Sequence, residues 1–374
     1  MRMASTTKRA TLEDVARAAG VGPMTVSRTI NGHPYVAEET AQKVQAAIRR
    51  LGYHPNHAAR MLKGQLSKSI GLIVPDLADP FFSVVSHAVQ EAAREAGYLV
   101  WLAASDGDPS IEEAQVAQMT NHPVDGILLV PAVSRSKYLK SLVLDSMPIV
   151  AVDRKIEVAP SDSVEVENRV GARMAVEHLL GHGYKRIACV IMNSHLRPVK
   201  ERIAGYEESL RRAKLAWMKK VVIPNEAVSL KALATLFKSP HPPDALFTAN
   251  NTCTIAVIKA LQVMKVKVPS DIALIGFDDV DFYTLLNPPV TTVRQPAIEL
   301  GRTSTRLLLQ KIKGDSLPSK IKKVLPVELI IRESCGCGKV HDGKNRTTPS
   351  PFAPLPSIRS SKTVRSLPPR RIMQ

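Results

Sequence analysis

The sequence predicts two structural classes in one chain: an N-terminal all-α helix–turn–helix domain and a longer α/β core with parallel sheets. Two short amphipathic patterns within residues 11–31 are separated by a glycine and a proline. From residue 69 onward, short runs rich in Val, Ile and Leu alternate with helical patterns. With 374 residues, the chain is also too long for one compact unit and suggests two to three domains.

The first helix is predicted by apolar residues at helical spacing: Leu12, Val15, Ala16 and Ala19. Thr11 stands before this stripe with Asp14 three residues later, which resembles a capping box. Gly20 is suited to end the helix because it tolerates a positive φ. These signals together predict a helix of about two turns.

A second and a third helix follow. Pro23 suits the first position of the second helix, where its missing N–H costs nothing. Val26 and Ile30 form the inner face, so Met24, Thr25, Ser27 and Arg28 are expected to face outward. The third helix has an inner face of Ala41, Val44, Ile48 and Leu51 and is closed by Gly52. A helix–turn–helix of this kind inserts the start of its second helix into the DNA major groove. An ordinary helical hairpin would show the same local pattern.

Seven apolar runs are predicted as strands: SIGLIVP, YLVWLAA, DGILLVP, PIVAVD, RIACVIM, DALFTAN and ALIGFD. Amphipathic helices are predicted between them, for example over residues 81–96 and 201–214. This alternation favours parallel sheets with helices on both faces. In such folds, ligands bind at the carboxyl ends of the strands.

The net charge of +17 is concentrated at the two ends of the chain. Residues 1–68 contain 11 Lys and Arg against 4 Asp and Glu, and residues 339–374 contain 8 against 1. The middle, residues 69–338, is nearly balanced with 32 against 29. A cationic end beside a balanced core fits binding to a phosphate backbone at that end, although basic ends also occur in other proteins.

Several classes of protein are disfavoured by the sequence. No apolar stretch is long enough to span a bilayer and the N-terminus lacks an apolar signal core, so a cytoplasmic protein without membrane contact is expected. Four cysteines do not form a disulfide framework in a chain of this size. Cys335 and Cys337 have no second cysteine pair or histidine nearby in the sequence, so reduced thiols and no metal site are expected. No nucleophile elbow or P-loop is present, so neither an enzyme nor a cofactor is expected.

Several long blocks resemble the lactose-repressor/galactose-repressor (LacI/GalR) family of bacterial transcription factors. They are TLEDVARAAGV, TVSRTIN, VAEETAQKVQAAIRRLGYHPNHAARMLK and SKSIGLIVPDLADPFF, and the resemblance continues to LIIRES at residues 329–334. The family implies a DNA-binding domain over 1–68 with a hinge helix at about 56–64. It also implies a periplasmic-binding-protein-like effector core over 69–338 with two doubly wound lobes. Lobe one would be 69–166 and 297–326, and lobe two 167–293 and 327–338, with three crossings that permit hinge closure. The basic segment 339–374 is absent from the family pattern and is expected to be disordered.

The resemblance also implies which residues contact DNA. Pro23, Met24 and Arg28 are the base-facing positions, and Arg28 suits a bidentate contact to guanine. The phosphate backbone is expected to be contacted by Thr25, Ser27 and Asn31. Further family contacts fall on Thr11, Tyr53, Asn56, Ala59, Leu62 and Lys63, where Leu62 would wedge into the minor groove. Gly22 departs from the family, which usually has a capping Ser there.

Effector residues are implied at the strand ends. Asp278 in GFDD, Arg202 in ERIAGYEESL and Asn250 in FTANN match family positions. Weaker candidates are Asp76, Phe82 and Asp153, while Arg197 is one residue out of step with a second family arginine. The chain has Asn251 where the family often has Asp. Simple structural roles remain open: a turn cap for Asp278 and core packing for Phe82.

The resemblance therefore implies a homodimeric DNA-binding transcription regulator, most often a repressor, that acts beside the nucleoid. Its partners would be a pseudo-palindromic DNA operator and a small-molecule effector, expected to be a sugar or sugar acid. A purine corepressor is the alternative within the family. A periplasmic sugar-binding protein would lack the N-terminal domain, and an architectural DNA binder would bind DNA without sequence preference or effector.

Overall fold

The computed structural model describes residues 10–30, 33–53, 66–122, 124–144, 147–315 and 320–337. The chain divides into two compact units between Ser67 and Lys68. The hinge segment 56–64 and the tail 339–374 lie outside the described residues, so the predictions made for them stay predictions.

The N-terminal unit contains three helices: α1 (Leu12–Ala19), α2 (Pro23–Ile30) and α3 (Glu38–Leu51). The capping box at Thr11 is confirmed, since its hydroxyl accepts a hydrogen bond from Asp14 N and Asp14 Oδ2 accepts one from Thr11 N. Gly20 ends α1 with a φ of 67°, as expected of a residue that tolerates the left-handed region. Val15, Val26 and Val44 are fully buried in the shared core.

One core residue of α3 was predicted wrongly. Leu51 was expected to face inward, but it is 36% exposed. Ala47 is buried instead, because it lies one turn from Val44 on the face that packs against α1 and α2. Gly52 closes α3 with a φ of 58°, as predicted.

Lobe one of the second unit is built on a six-stranded, fully parallel sheet with strand order β11-β5-β4-β3-β1-β2. Its strands are β1 (Ser69–Val74), β2 (Leu99–Ala104), β3 (Ile127–Leu129), β4 (Ile149–Val152), β5 (Asp162–Val166) and β11 (Lys322–Leu325). Its helices are α4 (Pro80–Glu95), α5 (Pro109–Asn121), α6 (Lys137–Leu144) and α11 (Ala297–Ile312). Both faces of this sheet are covered by apolar cores. The sequences of its central strands are therefore continuous hydrophobic runs.

Lobe two repeats this architecture with strand order β12-β10-β9-β8-β6-β7, in which only β12 is antiparallel. Its strands are β6 (Ile187–Ile191), β7 (Lys219–Val222), β8 (Ala245–Thr248), β9 (Ala273–Phe277), β10 (Thr291–Arg294) and β12 (Glu328–Ile330). Its helices are α7 (Asn168–Gly181), α8 (Arg197–Arg212), α9 (Ser229–Phe237) and α10 (Asn251–Val263), with short 3₁₀ turns at Glu226–Val228 and Asp281–Leu285. The predicted class of a helical N-terminal domain with a two-lobed α/β core is confirmed.

The chain passes between the two lobes three times: between β5 and α7, between β10 and α11, and between β11 and β12. Three connections of this kind permit the two lobes to move relative to each other about a hinge. Among the described residues, no helix is long and apolar enough to cross a membrane.

The end of the described chain contradicts one sequence expectation. Cys335 and Cys337 were expected to have no histidine partner, but His178 and His182 at the end of α7 lie beside them. Sequence proximity gave no sign of this because 157 residues separate His178 from Cys335. The fold brings the pairs together because the segment after β12 packs against the core under α7.

Candidate functional site

In the N-terminal unit, α2 presents an exposed face formed by its first residues. Met24 is 68% exposed, and Pro23 and Arg28 are also exposed, whereas Val26 is buried. Thr25 and Ser27 are half-buried at the sides of this face. An exposed helix start behind a tight turn is the arrangement with which helix–turn–helix domains reach base edges in the major groove.

Other residues predicted to contact DNA are placed differently. Tyr53 is only 8% exposed and packs in the core of the N-terminal unit, so its ring is a structural element in this structure. Thr11 is exposed, but its hydroxyl is used in the cap of α1. The remaining predicted contacts lie outside the described residues: Asn31, Asn56, Ala59, Leu62 and Lys63.

The second unit contains a cavity of about 450 Å³ between its two lobes. This volume lies within the range of roughly 300–1,000 Å³ that is typical of small-molecule sites. Lobe one contributes mainly loop and helix-start residues: Asp76, Asp79, Phe81, Phe82, Asp106, Asp153 and Arg154. Lobe two and the crossing contribute a second set: Asn193, His195, Arg202, Asn250, Asn251, Asp278 and Gln295.

Two aspartates occupy equivalent positions in the two lobes. Asp153 directly follows β4 with a φ of 64°, and Asp278 directly follows β9 with a φ of 73°. Each backbone N–H donates to the neighbouring strand, from Asp153 to Val164 O and from Asp278 to Val293 O, both at 2.9 Å. A non-glycine residue in this region is strained, and such strain concentrates at functional sites. The strained turns direct both residues to the carboxyl ends of the sheets, where ligands bind.

Arg202 is the buried cation of the cleft, with only 4% of its surface exposed. Its guanidinium donates to Asn168 Oδ1 at 2.8 Å and to Ala249 O at 2.7 Å, and lies 3.7 Å from Asp278 Oδ2. It also lies 3.6 Å from the ring centre of Phe277. Burial lowers the pKa of Arg202, and the charges of Asp278 and Asp153 oppose that effect. This network fixes the guanidinium and balances the buried carboxylates.

Two buried acceptor atoms in the cleft remain available. Asp153 Oδ1 and Gln295 Oε1 receive no hydrogen bond from the described residues. Burial raises the pKa of Asp153, although the Arg154 and Arg202 charges oppose this. The amide of Gln295 donates to Asp278, which fixes its orientation. Buried acceptors without donors are costly, so these two oxygens are free to accept hydrogen bonds from water or a bound ligand.

A direct hydrogen bond joins the lobes across the cleft. Asn251 Nδ2 of lobe two donates to Asp79 Oδ1 of lobe one at 2.7 Å. Burial, with the nearby Asp278 charge, raises the pKa of Asp79 to about 6. An aspartate in place of Asn251 would oppose Asp79 with a like charge and no donor, which explains physically why an amide suits this chain.

Comparison with known proteins decides the family. Residues 11–56 match the lacI family of bacterial regulatory proteins, and residues 176–335 match a periplasmic binding protein-like domain. The chain is 31% identical over 329 residues to the transcriptional repressor PurR of Photobacterium profundum, covering 87% of this chain and 98% of that protein. It is 32% identical over 333 residues to the ribose operon repressor of Halalkalibacterium halodurans, covering 88% and 98%. The chain belongs to the LacI family.

A solved LacI-family structure agrees over nearly the whole chain. The lac repressor dimer bound to operator and the anti-inducer ONPF superposes with a TM-score of 0.78 at 26% identity, covering 88% of this chain and 99% of that chain. The matched relatives are DNA-binding repressors, and this LacI-family chain is a regulator rather than an enzyme.

In this LacI-family core, the cleft brings together six of the seven effector residues predicted from the sequence: Asp76, Phe82, Asp153, Arg202, Asn250 and Asp278. Arg197 does not line the cavity. Its guanidinium instead donates to Glu157 of lobe one at 2.9 Å, so it forms an ion pair between the lobes. Asn250 Oδ1 caps α10 by accepting from Cys253 N, which leaves only its Nδ2 group to donate to a ligand.

Sequence reasoning missed several lining residues. Asp79 is the N-cap of α4, and the DP step before the helix is a sequence signal that could have marked it. Gln295 lies at a crossing between the lobes and carried no recognisable signal. The carboxylate of Asp279, next to Asp278 in the sequence, forms ion pairs with Arg332 and Arg294.

Proposed function

We propose that this LacI-family chain is a homodimeric transcriptional repressor that binds a pseudo-palindromic operator and is controlled by a neutral sugar bound in the interlobe cleft. The observation that carries the DNA-binding part is the exposed start of α2, where Met24 and Arg28 remain free to meet base edges. One such helix reads one half-site, so two copies related by a two-fold axis read a symmetric operator. Operator binding requires contact with the chromosome, which puts the protein in the cytoplasm beside the nucleoid.

The residues of the α2 face differ in the DNA groups that their side chains can contact. The Arg28 guanidinium suits a bidentate contact to guanine, worth about 1–3 kcal/mol of discrimination. Pro23 and Met24 offer only apolar side chains, which favour thymine methyl groups. Thr25 and Ser27, at the sides of the face, suit phosphate oxygens that position the domain without reading sequence.

The charge of the cleft supports a neutral effector over a sugar acid. Five aspartates and two arginines line the cavity: Asp76, Asp79, Asp106, Asp153, Asp278, Arg154 and Arg202. The Arg202 guanidinium is already held by Asn168 Oδ1 and Ala249 O. Arg197, which would have suited a carboxylate, pairs with Glu157 outside the cavity. An anionic effector would therefore enter a cavity with an excess of negative charge.

The donor and acceptor pattern also supports a sugar. The lining is rich in acceptors, including the two buried oxygens on Asp153 and Gln295 that lack a donor. A sugar offers a hydroxyl donor on most carbons, whereas a purine offers few N–H groups. Phe81 and Phe82 also line the cavity and add apolar surface, although Phe82 is only 6% exposed and packs mainly in the core of lobe one. A relative with 32% identity is a ribose operon repressor, in agreement with this class.

Effector and operator binding are coupled because both depend on the arrangement of the lobes. By linkage, a change that the effector causes in operator affinity is matched by an equal change that the operator causes in effector affinity. Measuring each affinity with and without the other ligand tests this coupling. In a DNA-binding protein without effector control, neither affinity would change.

A thermal-shift screen of the full chain against neutral sugars, sugar acids and purines tests the effector. A neutral sugar is expected to raise the Tm of the wild type by mass action and to leave Asp278→Asn unchanged. A shift produced only by sugar acids or purines would overturn the effector class. Gel shifts on random and palindromic DNA test the other half, and equal affinity for both would overturn sequence-specific regulation.

A further inference from the structure

Four metal-ligating side chains meet at one place in lobe two, away from the interlobe cleft. His178 and His182 lie at the carboxyl end of α7, and Cys335 and Cys337 lie in the turn that follows β12. One ligand atom from each side chain lies within 4.8 Å of all the others. We propose that these four residues form a zinc site that fastens the end of the core to α7.

The distances fit a tetrahedral ion. His178 Nε2 lies 3.3 Å from Cys335 Sγ, and His182 Nε2 lies 3.1 Å from Cys337 Sγ. His178 Nε2 is also 3.5 Å from Cys337 Sγ. With Zn–S at about 2.3 Å and Zn–N at about 2.0–2.1 Å, adjacent N and S ligands of a tetrahedron are about 3.6 Å apart. Small rotations of the side chains therefore suffice to admit the ion.

The local structure explains why the ligands converge. His178 and His182 are four residues apart and so project from the same face of the helix end. Gly336, between the cysteines, has a φ of 96°, which turns the backbone so that both thiols reach the histidines. A Cβ at Gly336 would also lie 2.9 Å from the Tyr184 hydroxyl, so a side chain would disturb this turn.

The cysteine turn is anchored to the core of lobe two. Ser334 Oγ donates to Leu274 O and accepts from Thr291 N at 2.8 Å, and Leu274 N donates to Ser334 O at 2.9 Å. Thr291 Oγ1 donates to Cys335 Sγ at 3.2 Å. Hydrogen bonds to ligand atoms orient metal ligands and tune their affinity. The ligands are therefore preorganised before an ion binds.

The donor set selects the type of ion. Two thiolates and two imidazoles make an S₂N₂ set, which suits Zn²⁺ with tetrahedral geometry and does not suit Mg²⁺ or Ca²⁺, which prefer oxygen. Cys335 is fully buried and the other three are half-buried, so the four side chains close around the ion as in structural zinc sites. The site is expected to stabilise lobe two and not to act on substrate.

The full chain, purified without a histidine tag, is analysed for metal and then reconstituted with Co²⁺ under reducing conditions. We expect one zinc per chain, and a cobalt spectrum with strong tetrahedral bands and a thiolate charge-transfer band. Cys337→Ser and His182→Asn are expected to lose the ion. Cys253→Ala, which removes a buried thiol elsewhere in lobe two, is expected to keep it. Chelation should lower the Tm of wild type and Cys253→Ala by several degrees and leave the two site variants unchanged.

Three results would overturn the proposal. The first is a protein without zinc whose cobalt form lacks the charge-transfer band. The second is full retention of zinc by both site variants, which would indicate binding elsewhere. The third is a Cys335–Cys337 disulfide found by mass spectrometry in protein from a reducing cytoplasm. None of these outcomes bears on the DNA or effector proposals, because the zinc site shares no residue with them.

Discussion

Replacing Arg202 with methionine tests the role of the buried cation in the cleft. The variant keeps a side chain of similar length but removes the donors to Asn168 and Ala249 and the charge facing Asp278. The carboxylate of Asp278 is then left buried without its cation, because its side chain is only 7% exposed. We expect the variant to lose both stability and effector binding.

The expected size of the loss follows from burial. Removing one partner of a buried ion pair costs about 3–5 kcal/mol, a large part of the roughly 5–15 kcal/mol that stabilises a typical domain. In a domain of this size, each kcal/mol lowers the Tm by roughly 2–4 °C, so a decrease of about 6–20 °C is expected.

Arg197→Met is the matched control, because Arg197 is on the same helix but its side chain is 31% exposed and its ion pairs lie outside the cavity. Glu157 also pairs with Arg135 and Lys155, so it keeps cations nearby when Arg197 is replaced. The Tm of Arg197→Met should therefore fall much less than that of Arg202→Met. Both variants are measured by calorimetry and by titration with the sugar identified in the screen. An equal Tm for the two variants, or wild-type sugar affinity in Arg202→Met, would refute the role assigned to Arg202.

Three further predictions concern other parts of the chain. Burial and Asp278 raise the pKa of Asp79 from 3.8 to about 6, so the folded state holds this proton more tightly than the unfolded state and stability falls as pH rises through that interval. Asp79→Asn should therefore have a higher Tm than wild type at about pH 7.5 but not at about pH 4.5, and a pH-independent difference would contradict this cause. Thr11→Ala should lower the unfolding free energy of the N-terminal unit by about 1 kcal/mol in denaturant titrations. An unchanged free energy would show that the capping box does not stabilise α1. Leu62→Ala should weaken operator binding in gel shifts while sugar affinity stays constant, and unchanged operator binding would exclude the wedge role.

Much of the fold was predictable because its signals are local. The seven predicted strands are present, since central strands buried on both faces appear as continuous apolar runs. Five of the described strands were not predicted: β5, β7, β10, β11 and β12. Strand β5 was missed because its sequence, DSVEV, is polar. Its side chains are nevertheless buried, with Asp162 accepting from Ile321 N and Ser163 donating to Glu165. The partner of Asp162 lies 159 residues away, so the local sequence gives no sign that this polar strand is buried.

The cleft residues that could be predicted from the sequence are those that directly follow a strand. Asp153 and Asp278 follow apolar runs directly, so their position at the cleft could be read from the sequence. The opposed pair Asp79 and Asn251 is separated by 172 residues, and nothing in either segment indicates the other. The histidine–cysteine cluster was missed for the same reason, because its two halves are far apart in the sequence. Two histidines four residues apart on a helix could nevertheless have suggested a metal site.

The most direct test of sequence-specific reading by α2 is selection of binding sites from a random DNA library by the full chain and by Arg28→Ala. We expect wild type to enrich a two-fold symmetric motif, and the variant to lose its preference at one base pair in each half-site. The loss should correspond to roughly 5- to 150-fold in relative affinity, from about 1–3 kcal/mol for a bidentate contact. An identical motif for both proteins, or no motif for wild type, would contradict the assignment of α2 as the element that reads DNA.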